Sequence, residues 1–342
     1  NTTSVQPETD PFRTHRVVTG SISNRNEMTF ISTLTALVQS LGSVLLPVLL
    51  GILFGRFSQR MEDRTVATCL LFFFLPVYLL FNLARPMQVD KELGLVFFFF
   101  FFHTAALWIV SSFILRMFHL SQKAHSLILM TILLAHPFLI PPQMLSPLTG
   151  ETGIATGTAA NIYHIALVIV AVLGMYLGSQ KISFPERLFE MLTVPVALFG
   201  LLGFALGLLG VGLGETIPKI LSPSAQAAMP LTFLLLGFLI GRGLHLFELL
   251  SSAQILFAAG IATALKLVAS PIIGVLLVHI MPIGPALGNL LILQTAMPTA
   301  AIACIFTAYY GQPPDRRYVA LCIVLSCLIC CVTIPILCKF LV

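Results

Sequence analysis

Residues 131–150 read TILLAHPFLIPPQMLSPLTG, and this stretch decides the fold. It begins as an apolar helix and then places Pro137, Pro141 and Pro142 within six residues. Each proline lacks an N–H group and leaves a carbonyl one turn earlier without its partner, which is costly in hydrocarbon unless protein, water or a ligand replaces it. The stretch therefore predicts a transmembrane helix that is broken inside the protein and faces a polar cavity.

A second stretch repeats this pattern about 160 residues later. Residues 289–311 read NLLILQTAMPTAAIACIFTAYYG, and Pro298 lies thirteen residues before Gly311, as Pro137 lies thirteen before Gly150. Broken helices at matching positions of two halves are typical of transporters whose binding site lies between internal repeats. We therefore expect the two breaks to meet near the middle of the membrane.

Composition places the chain in the lipid bilayer. The sequence is 58% hydrophobic and 9% charged, with a mean hydropathy of +1.00, which is outside the range of soluble globular proteins. The net charge of +5 is spread over short loops. We therefore expect a polytopic membrane protein, and nucleic acid is not predicted as a partner.

Apolar segments of about the 20 residues that cross a bilayer follow one another along the chain. The predicted spans are 31–55, 65–85, 93–117, 125–147, 153–178, 188–211, 217–241, 252–280, 285–310 and 317–340. The predicted fold class is an all-α polytopic membrane protein with ten transmembrane helices in two inverted five-helix repeats, in which broken helices 4 and 9 cross at prolines. The predicted parts are a disordered polar tail (1–27), a first repeat (28–179), a short central cytoplasmic loop (180–187) and a second repeat (188–342).

The distribution of Lys and Arg over the loops predicts the orientation. With the N-terminus outside, the inner loops hold ten such residues: Arg56, Arg60, Arg64, Arg116, Lys123, Lys181, Arg187, Arg242, Arg316 and Arg317. The outer side then holds four, apart from three arginines in the polar tail: Arg85, Lys91, Lys219 and Lys339. We expect a multi-pass protein of the cell membrane with both termini outside.

The predicted cavity suits an anion. The N-terminus of a half-helix carries partial positive charge and unpaired N–H groups, so the amides of Gln143, Met144, Thr299 and Ala300 are expected to face the centre. Lys266 lies in the middle of the eighth span, where an ammonium is a functional hypothesis by default. Every Asp and Glu lies in a tail, a loop or a span end, which favours a small organic anion over a cation.

These considerations give a set of candidate site residues. The candidate substrate-binding residues are Pro137, Pro142, Gln143, Gln294, Met297, Pro298, Thr299 and Lys266, and Asn161 is a candidate lining residue. Because imidazole titrates near neutrality, His136 and His164 are candidates for proton coupling, whereas His103 is expected to have a packing role. No metal or other cofactor is predicted; coupling to H⁺ or Na⁺ is left open.

Several segments resemble the auxin efflux carrier family of membrane transporters, which is related to the bile acid, arsenite and riboflavin transporters. These segments are LPVLLGILFGR (46–56), LFFFLPVYLLFNLA (71–84), SPLTGETG (146–153), PLTFLLLGFLIGRG (230–243), KLVASPIIG (266–274) and AMPTAAIACIFTAYYG (296–311). The resemblance implies a secondary carrier of carboxylates or auxin-like acids that works by alternating access. It also implies a scaffold of helices 1, 2, 6 and 7, and a homodimer formed through that scaffold.

No sequence motif of a hydrolase, a nucleotide-binding loop or a zinc peptidase is present, so the protein is not predicted to be an enzyme. Two alternatives stay open. One is a sodium-coupled organic anion symporter of the bile acid type. The other is a membrane receptor that has a transporter-like fold but does not transport.

Overall fold

The computed structural model describes residues 42, 44–57, 62–86, 91–135, 183, 185–186, 189, 194–243 and 253–341. Within these ranges the chain is mainly helical and contains no β-strand. We label the helices in chain order as α1 (Val44–Phe57), α2 (Asp63–Leu83), α3 (Lys91–Arg116), α4 (Gln122–Leu133), α5 (Pro195–Leu208), α6 (Thr216–Gly243), α7 (Gln254–Ile280), α8 (Pro285–Thr295), α9 (Ile302–Tyr310) and α10 (Pro313–Leu341).

Five of these helices are long and apolar enough to cross a membrane, namely α2, α3, α6, α7 and α10. They lie within a few residues of the second, third, seventh, eighth and tenth predicted spans. Helices α1 and α5 overlap the described parts of the first and sixth predicted spans, and α8 and α9 lie within the ninth predicted span. The fifth span, 153–178, lies outside the described residues, so the ten-span inverted repeat stays a prediction.

The phenylalanine run on α3 shows how the helices divide their surfaces. Phe99 and Phe100 are buried, whereas Phe98 and Phe101 are 60% and 67% exposed. A helix turns through about 100° per residue, so four consecutive residues cannot share one face. The exposed rings form part of an apolar outer surface of the kind that lipid, rather than water, covers.

Helices α2 and α7 each contain a π-helical turn before a proline. The turns span Leu70–Phe74 and Leu265–Ala269, and Pro76 and Pro271 follow. A proline cannot donate to the carbonyl four residues earlier, and its ring crowds that carbonyl. The wider π turn relieves this conflict without ending the helix. In α7, the π turn also sets the direction in which its side chains, including that of Lys266, leave the helix.

Polar contacts group the helix ends on one side of the molecule. The Asp63 carboxylate at the start of α2 pairs with Arg316 near the start of α10. Lys123 at the start of α4 pairs with Asp315, with 2.8 Å between Nζ and Oδ2. These three helix ends are therefore adjacent, as the loop assignment from Lys and Arg requires, although which side is cytoplasmic stays a prediction.

The central loop ends in a capping box. Ser183 and Glu186 bond reciprocally: the Ser183 hydroxyl and N–H donate to Glu186 Oε2 at 2.8 and 3.1 Å, and Glu186 N–H donates to Ser183 Oγ at 3.5 Å. Such a box marks a helix N-terminus. The hydrogen bonds from the Ser183 hydroxyl and N–H lower the pKa of the exposed Glu186 carboxyl.

Glycines on α1 and α6 allow the two backbones to touch. A Cβ atom built on Gly237 would overlap the Val48 carbonyl oxygen, and one on Gly51 would overlap the Leu234 carbonyl oxygen. One turn later, a Cβ on Gly55 would lie 2.6 Å from the Phe238 oxygen. Both helices carry the Gly-x-x-x-Gly spacing that permits close contact between membrane helices. Contacts nearer the C-terminus of α1 involve residues nearer the C-terminus of α6, so the two helices run parallel.

Candidate functional site

The ninth predicted span is interrupted inside the protein. α8 ends at Thr295, α9 begins at Ile302, and the connecting residues around Pro298 are not helical. Met297, Thr299 and Ala301 are each 2% exposed. The sequence predicts a helix that is broken at Pro298 and faces a polar cavity; the break is present, and the residues around it are buried, whereas the polar cavity stays a prediction.

The C-terminal end of α4 lies against this interruption. The Ala300 N–H donates to the Leu134 carbonyl at 3.0 Å, and Ala135 and Thr299 form an antiparallel β-bridge. The Thr299 hydroxyl donates to the Thr131 carbonyl at 2.8 Å. Carbonyls that α4 leaves unpaired at its end thus find donors in the other half of the chain, which satisfies the requirement of a buried break.

The helix in the fourth predicted span, 125–147, ends before the first proline of that span. α4 ends at Leu133, and Leu134 takes an extended conformation with φ −76° and ψ 105°. Pro137 cannot donate to the Leu133 carbonyl four residues earlier, which favours a helix end at this point, and the extended backbone that follows allows the bridge to Thr299. Pro137 lies outside the described residues, and the crossing of the two prolines stays a prediction.

Helix α10 also holds the interruption in place. The Thr299 N–H donates to Ser326 Oγ at 3.1 Å, and the Ser326 hydroxyl donates to the Ile323 carbonyl at 3.1 Å. The amides of Thr299 and Ala300, which were expected to face a ligand, are therefore bonded to protein acceptors in this structure. An anion that binds to these two amides must replace Ser326 and Leu134 as the acceptor.

Lys266 lies in the π turn of α7 and is 1% exposed, one of the largest fully buried side chains. Three ion pairs occur among the described residues, and none of them includes Lys266. A buried ammonium without a carboxylate partner is unfavourable by about 3 kcal/mol in a membrane interior. Lys266 lies in the middle of the helix, as the sequence predicts, and its side chain is buried away from lipid and water.

A hydrogen-bonded chain leads from α3 through α7 to the interruption. The Ser270 hydroxyl donates to the Thr295 carbonyl at 2.7 Å, at the last residue of α8. His103 Nε2 lies 3.0 Å from the Ser270 carbonyl oxygen and 3.2 Å from Ser270 Oγ. Because the Ser270 hydroxyl hydrogen is used on Thr295, Nε2 must carry the proton and donate to both oxygens. His103 therefore has a structural hydrogen bond beyond the packing role expected for it.

The structure places Gln294, Met297, Pro298, Thr299 and Lys266 of the predicted site in the buried interior. Gln294 and Met297 flank the turn at the end of α8. The other predicted site residues lie outside the described residues: His136, Pro137, Pro142, Gln143, Met144, Asn161 and His164.

Sequence reasoning missed four residues that form this region, namely His103, Thr131, Ser270 and Ser326. Each is a polar residue in a largely apolar helix, and each is buried. Polar residues inside a span usually face the interior of the bundle, so their burial was predictable. Their partners were not, because the hydrogen bonds of Thr299 to Thr131 and of Ser270 to His103 join residues that are 168 and 167 positions apart.

Comparison with models of known protein families finds no match for this chain, and no curated protein matches it. Among the described residues, no group of three or more His, Cys, Asp or Glu side chains is arranged to hold a metal ion. Over the described residues, the structure defines a helical protein with five helices that are long and apolar enough to cross a membrane. Membership of a transporter family stays a hypothesis from the resemblance.

Replacement of Thr299 by valine tests the hydrogen bonds at the interruption. Valine keeps the shape of threonine but removes the donor to the Thr131 carbonyl, which is then buried without that bond. We expect a loss of about 1–3 kcal/mol in stability, seen as a lower Tm of the purified protein. The matched control is Thr65→Val, because Thr65 is exposed on α2. Equal Tm values for the two variants would contradict a role of this bond in stability.

Proposed function

We propose that the protein is a secondary active transporter of small organic anions, carboxylates in particular. The observation that carries this proposal is Lys266, a fully buried lysine in a π turn, one helical turn before the serine that bonds to the end of α8. An anionic substrate would neutralise the ammonium. The π turn supports the proposal, since such turns are frequent at functional sites.

The interruption supplies the second element of a binding site. Helix α9 starts at Ile302, and its N-cap residue Ala301 has no side-chain oxygen to accept from the first turn. The N-terminus of a helix attracts negative charge. In the proposed site, this helix end and the Lys266 ammonium bind the same carboxylate. Gln143 and the prolines of the fourth predicted span, which lie outside the described residues, stay candidates for the same site.

Alternating access gives these elements a mechanism. Spans 1, 2, 6 and 7 pack through close backbone contacts: α1 against α6 at Gly51 and Gly237, and α5 against α2, where a Cβ on Gly203 would lie 2.9 Å from Leu83 Cβ. We assign these helices to a rigid scaffold, and the helices that hold the interruption to a moving unit. Because the interruption is closed over by protein here, the unit must shift to open it to either side.

The decisive experiment is counterflow into liposomes that contain the purified full chain. Liposomes are preloaded with unlabelled acetate, malonate, benzoate or indole-3-acetate, and uptake of the same labelled anion is followed. We expect counterflow for at least one carboxylate and none for the corresponding neutral amide. Absence of counterflow for the whole panel, with protein that remains folded, would contradict transport of these carboxylates.

A sodium gradient and a binding assay separate the two alternatives. Uptake that requires sodium would favour a symporter of the bile acid type. Binding of a carboxylate without any flux would favour a receptor with a transporter-like fold. We expect uptake without a sodium requirement, because no carboxylate among the described residues is placed beside the interruption to hold a sodium ion.

A further inference from the structure

A cavity of about 610 Å³ lies at the end of α9 that is away from the interruption. Helix α9 has nine residues, so this cavity and Ala301 are separated by about 13 Å along the helix. The cavity is therefore distinct from the site proposed around Lys266. It is lined by Arg64, Phe72, Val194, Tyr309, Tyr310, Gly311, Gln312 and Arg316.

The charge of Arg316 is already compensated within the protein. Its Nε donates to the Thr307 carbonyl at 3.2 Å, and a terminal nitrogen donates to the Gly311 carbonyl at 3.1 Å. The other terminal nitrogen pairs with the Asp63 carboxylate. The guanidinium thus caps the C-terminal end of α9 and joins it to α2, which makes Arg316 part of the cavity wall.

Arg64 is the cation whose charge is left for a ligand. Its guanidinium lies over the Tyr309 ring, 5.5 Å from the centroid, and the ring holds it in place by a cation–π contact. No carboxylate among the described residues lies within ion-pair distance of Arg64, since Asp63 and Asp315 pair with Arg316 and Lys123. The cavity therefore carries net positive charge at a fixed position.

The position of the cavity indicates lipid rather than the aqueous phase as the source of its ligand. Arg64 lies in the first turn of α2, and Phe72, two turns further along the same membrane-crossing helix, is 41% exposed. Phe72 and Tyr309 pack with ring centroids 5.4 Å apart. Arginine and tyrosine at the end of a span are typical of the headgroup level, and an exposed phenylalanine below them is typical of the acyl-chain level. The cavity thus extends from the headgroup level to the acyl-chain level.

We propose that this cavity binds the phosphate of an anionic phospholipid, with Arg64 as its ion-pair partner and Gln312 as a further donor. The acyl chains then follow the exposed surface beside Phe72. The loops around Arg64 and Arg316 are those predicted to be cytoplasmic. The cytoplasmic leaflet contains the anionic lipids that attract arginine at the membrane surface.

The full chain is purified from nanodiscs that contain equal amounts of phosphatidylglycerol and phosphatidylcholine. Native mass spectrometry then measures which lipid stays bound to the protein. We expect preferential retention of phosphatidylglycerol, and a reduction of about fivefold in Arg64→Gln. The matched control is Arg317→Gln, which makes the same charge change at an exposed arginine outside the cavity lining. Equal retention by Arg64→Gln and the unmodified chain, or an equal loss in both variants, would overturn the proposal.

Two further arms identify the ligand and the site. Calorimetric titration with sn-glycerol 3-phosphate in phosphatidylcholine nanodiscs tests for a soluble ligand. Binding that depends on Arg64, without preference for phosphatidylglycerol, would overturn lipid as the source. Lys266→Met is expected to retain phosphatidylglycerol as the unmodified chain does, so the lipid site can be verified even if the protein does not transport carboxylates.

Discussion

Replacement of Lys266 by methionine is expected to reduce carboxylate uptake by about 100-fold or more. Methionine has a similar length and fits a buried apolar site, so the change removes the charge and little else. Truncating one partner of a buried charge pair costs 2–5 kcal/mol, and 1.4 kcal/mol is a factor of ten. The measurement is the initial rate of uptake into liposomes that contain equal amounts of folded protein.

The Tm of the same variant separates a functional lysine from a structural one. If Lys266 is kept for a substrate, its removal relieves a buried charge, and the Tm should stay the same or rise. If the ammonium instead stabilises the fold through a buried partner, the Tm should fall. The control is Lys219→Met, because Lys219 is an exposed lysine that pairs only loosely with Glu215, at 4.0 Å. Unchanged uptake by Lys266→Met would remove this residue from the mechanism.

Lys266 and the interruption belong to one connected region. Ser270, one turn after Lys266, donates a hydrogen bond to the carbonyl of Thr295. Thr299, four residues after Thr295, forms hydrogen bonds with α4 and α10. A shift of α7 therefore acts on the end of α8 through a direct hydrogen bond. If the ammonium moves toward a bound anion, this bond can transmit the movement to the interruption.

The interruption at Pro298 was visible in the sequence because it rests on local chemistry. A proline removes a donor wherever it occurs, and an apolar segment around it places the break at membrane depth. The limits of α2, α3, α6, α7 and α10 were visible for a similar reason, since span length follows from bilayer thickness. These features depend on neighbours in the chain and need no knowledge of the tertiary fold.

The partners of the residues at the end of α4 were not visible in the sequence, because they lie in a distant part of the chain. Pro137 removes the donor that the Leu133 carbonyl would need, so a helix end near Leu133 follows from local chemistry. The pairing of Leu134 and Ala135 with Ala300 and Thr299 does not follow from local chemistry. The same holds for Ser270 and Ser326, since a serine in an apolar helix has many potential acceptors in its own helix. Hydrogen bonds between different helices can be assigned only from the fold.

The glycine contacts between α1 and α6 were only partly predictable from the sequence. Gly51 and Gly55, and Gly237 and Gly241, have the spacing that marks a helix surface suited to close contact. The sequence therefore contains the signal for each face. It does not indicate which two faces meet or whether the helices run parallel, because several pairings would satisfy the same spacing.

Replacement of Gly237 by leucine is expected to lower the Tm by about 10 °C or to prevent folding. The new side chain would begin where the Val48 carbonyl oxygen lies, and the next nearest atoms are also backbone atoms of Val48. Backbone atoms within a helix cannot rotate away, so α1 and α6 must separate and lose their contact along the whole face. Gly237→Ala should cause a smaller loss in the same direction, because its single methyl group requires less separation.

The matched control is Gly260→Leu, since Gly260 is exposed on α7 and a Cβ there would meet nothing within 4 Å. This change removes a glycine from a helix interior, which should leave the Tm unchanged or raise it slightly. Thermal unfolding in detergent, followed by fluorescence, compares the variants at equal concentration. A Gly237→Leu protein as stable as Gly260→Leu would show that α1 and α6 do not make this contact, and the assignment of these helices to one rigid scaffold would then fail.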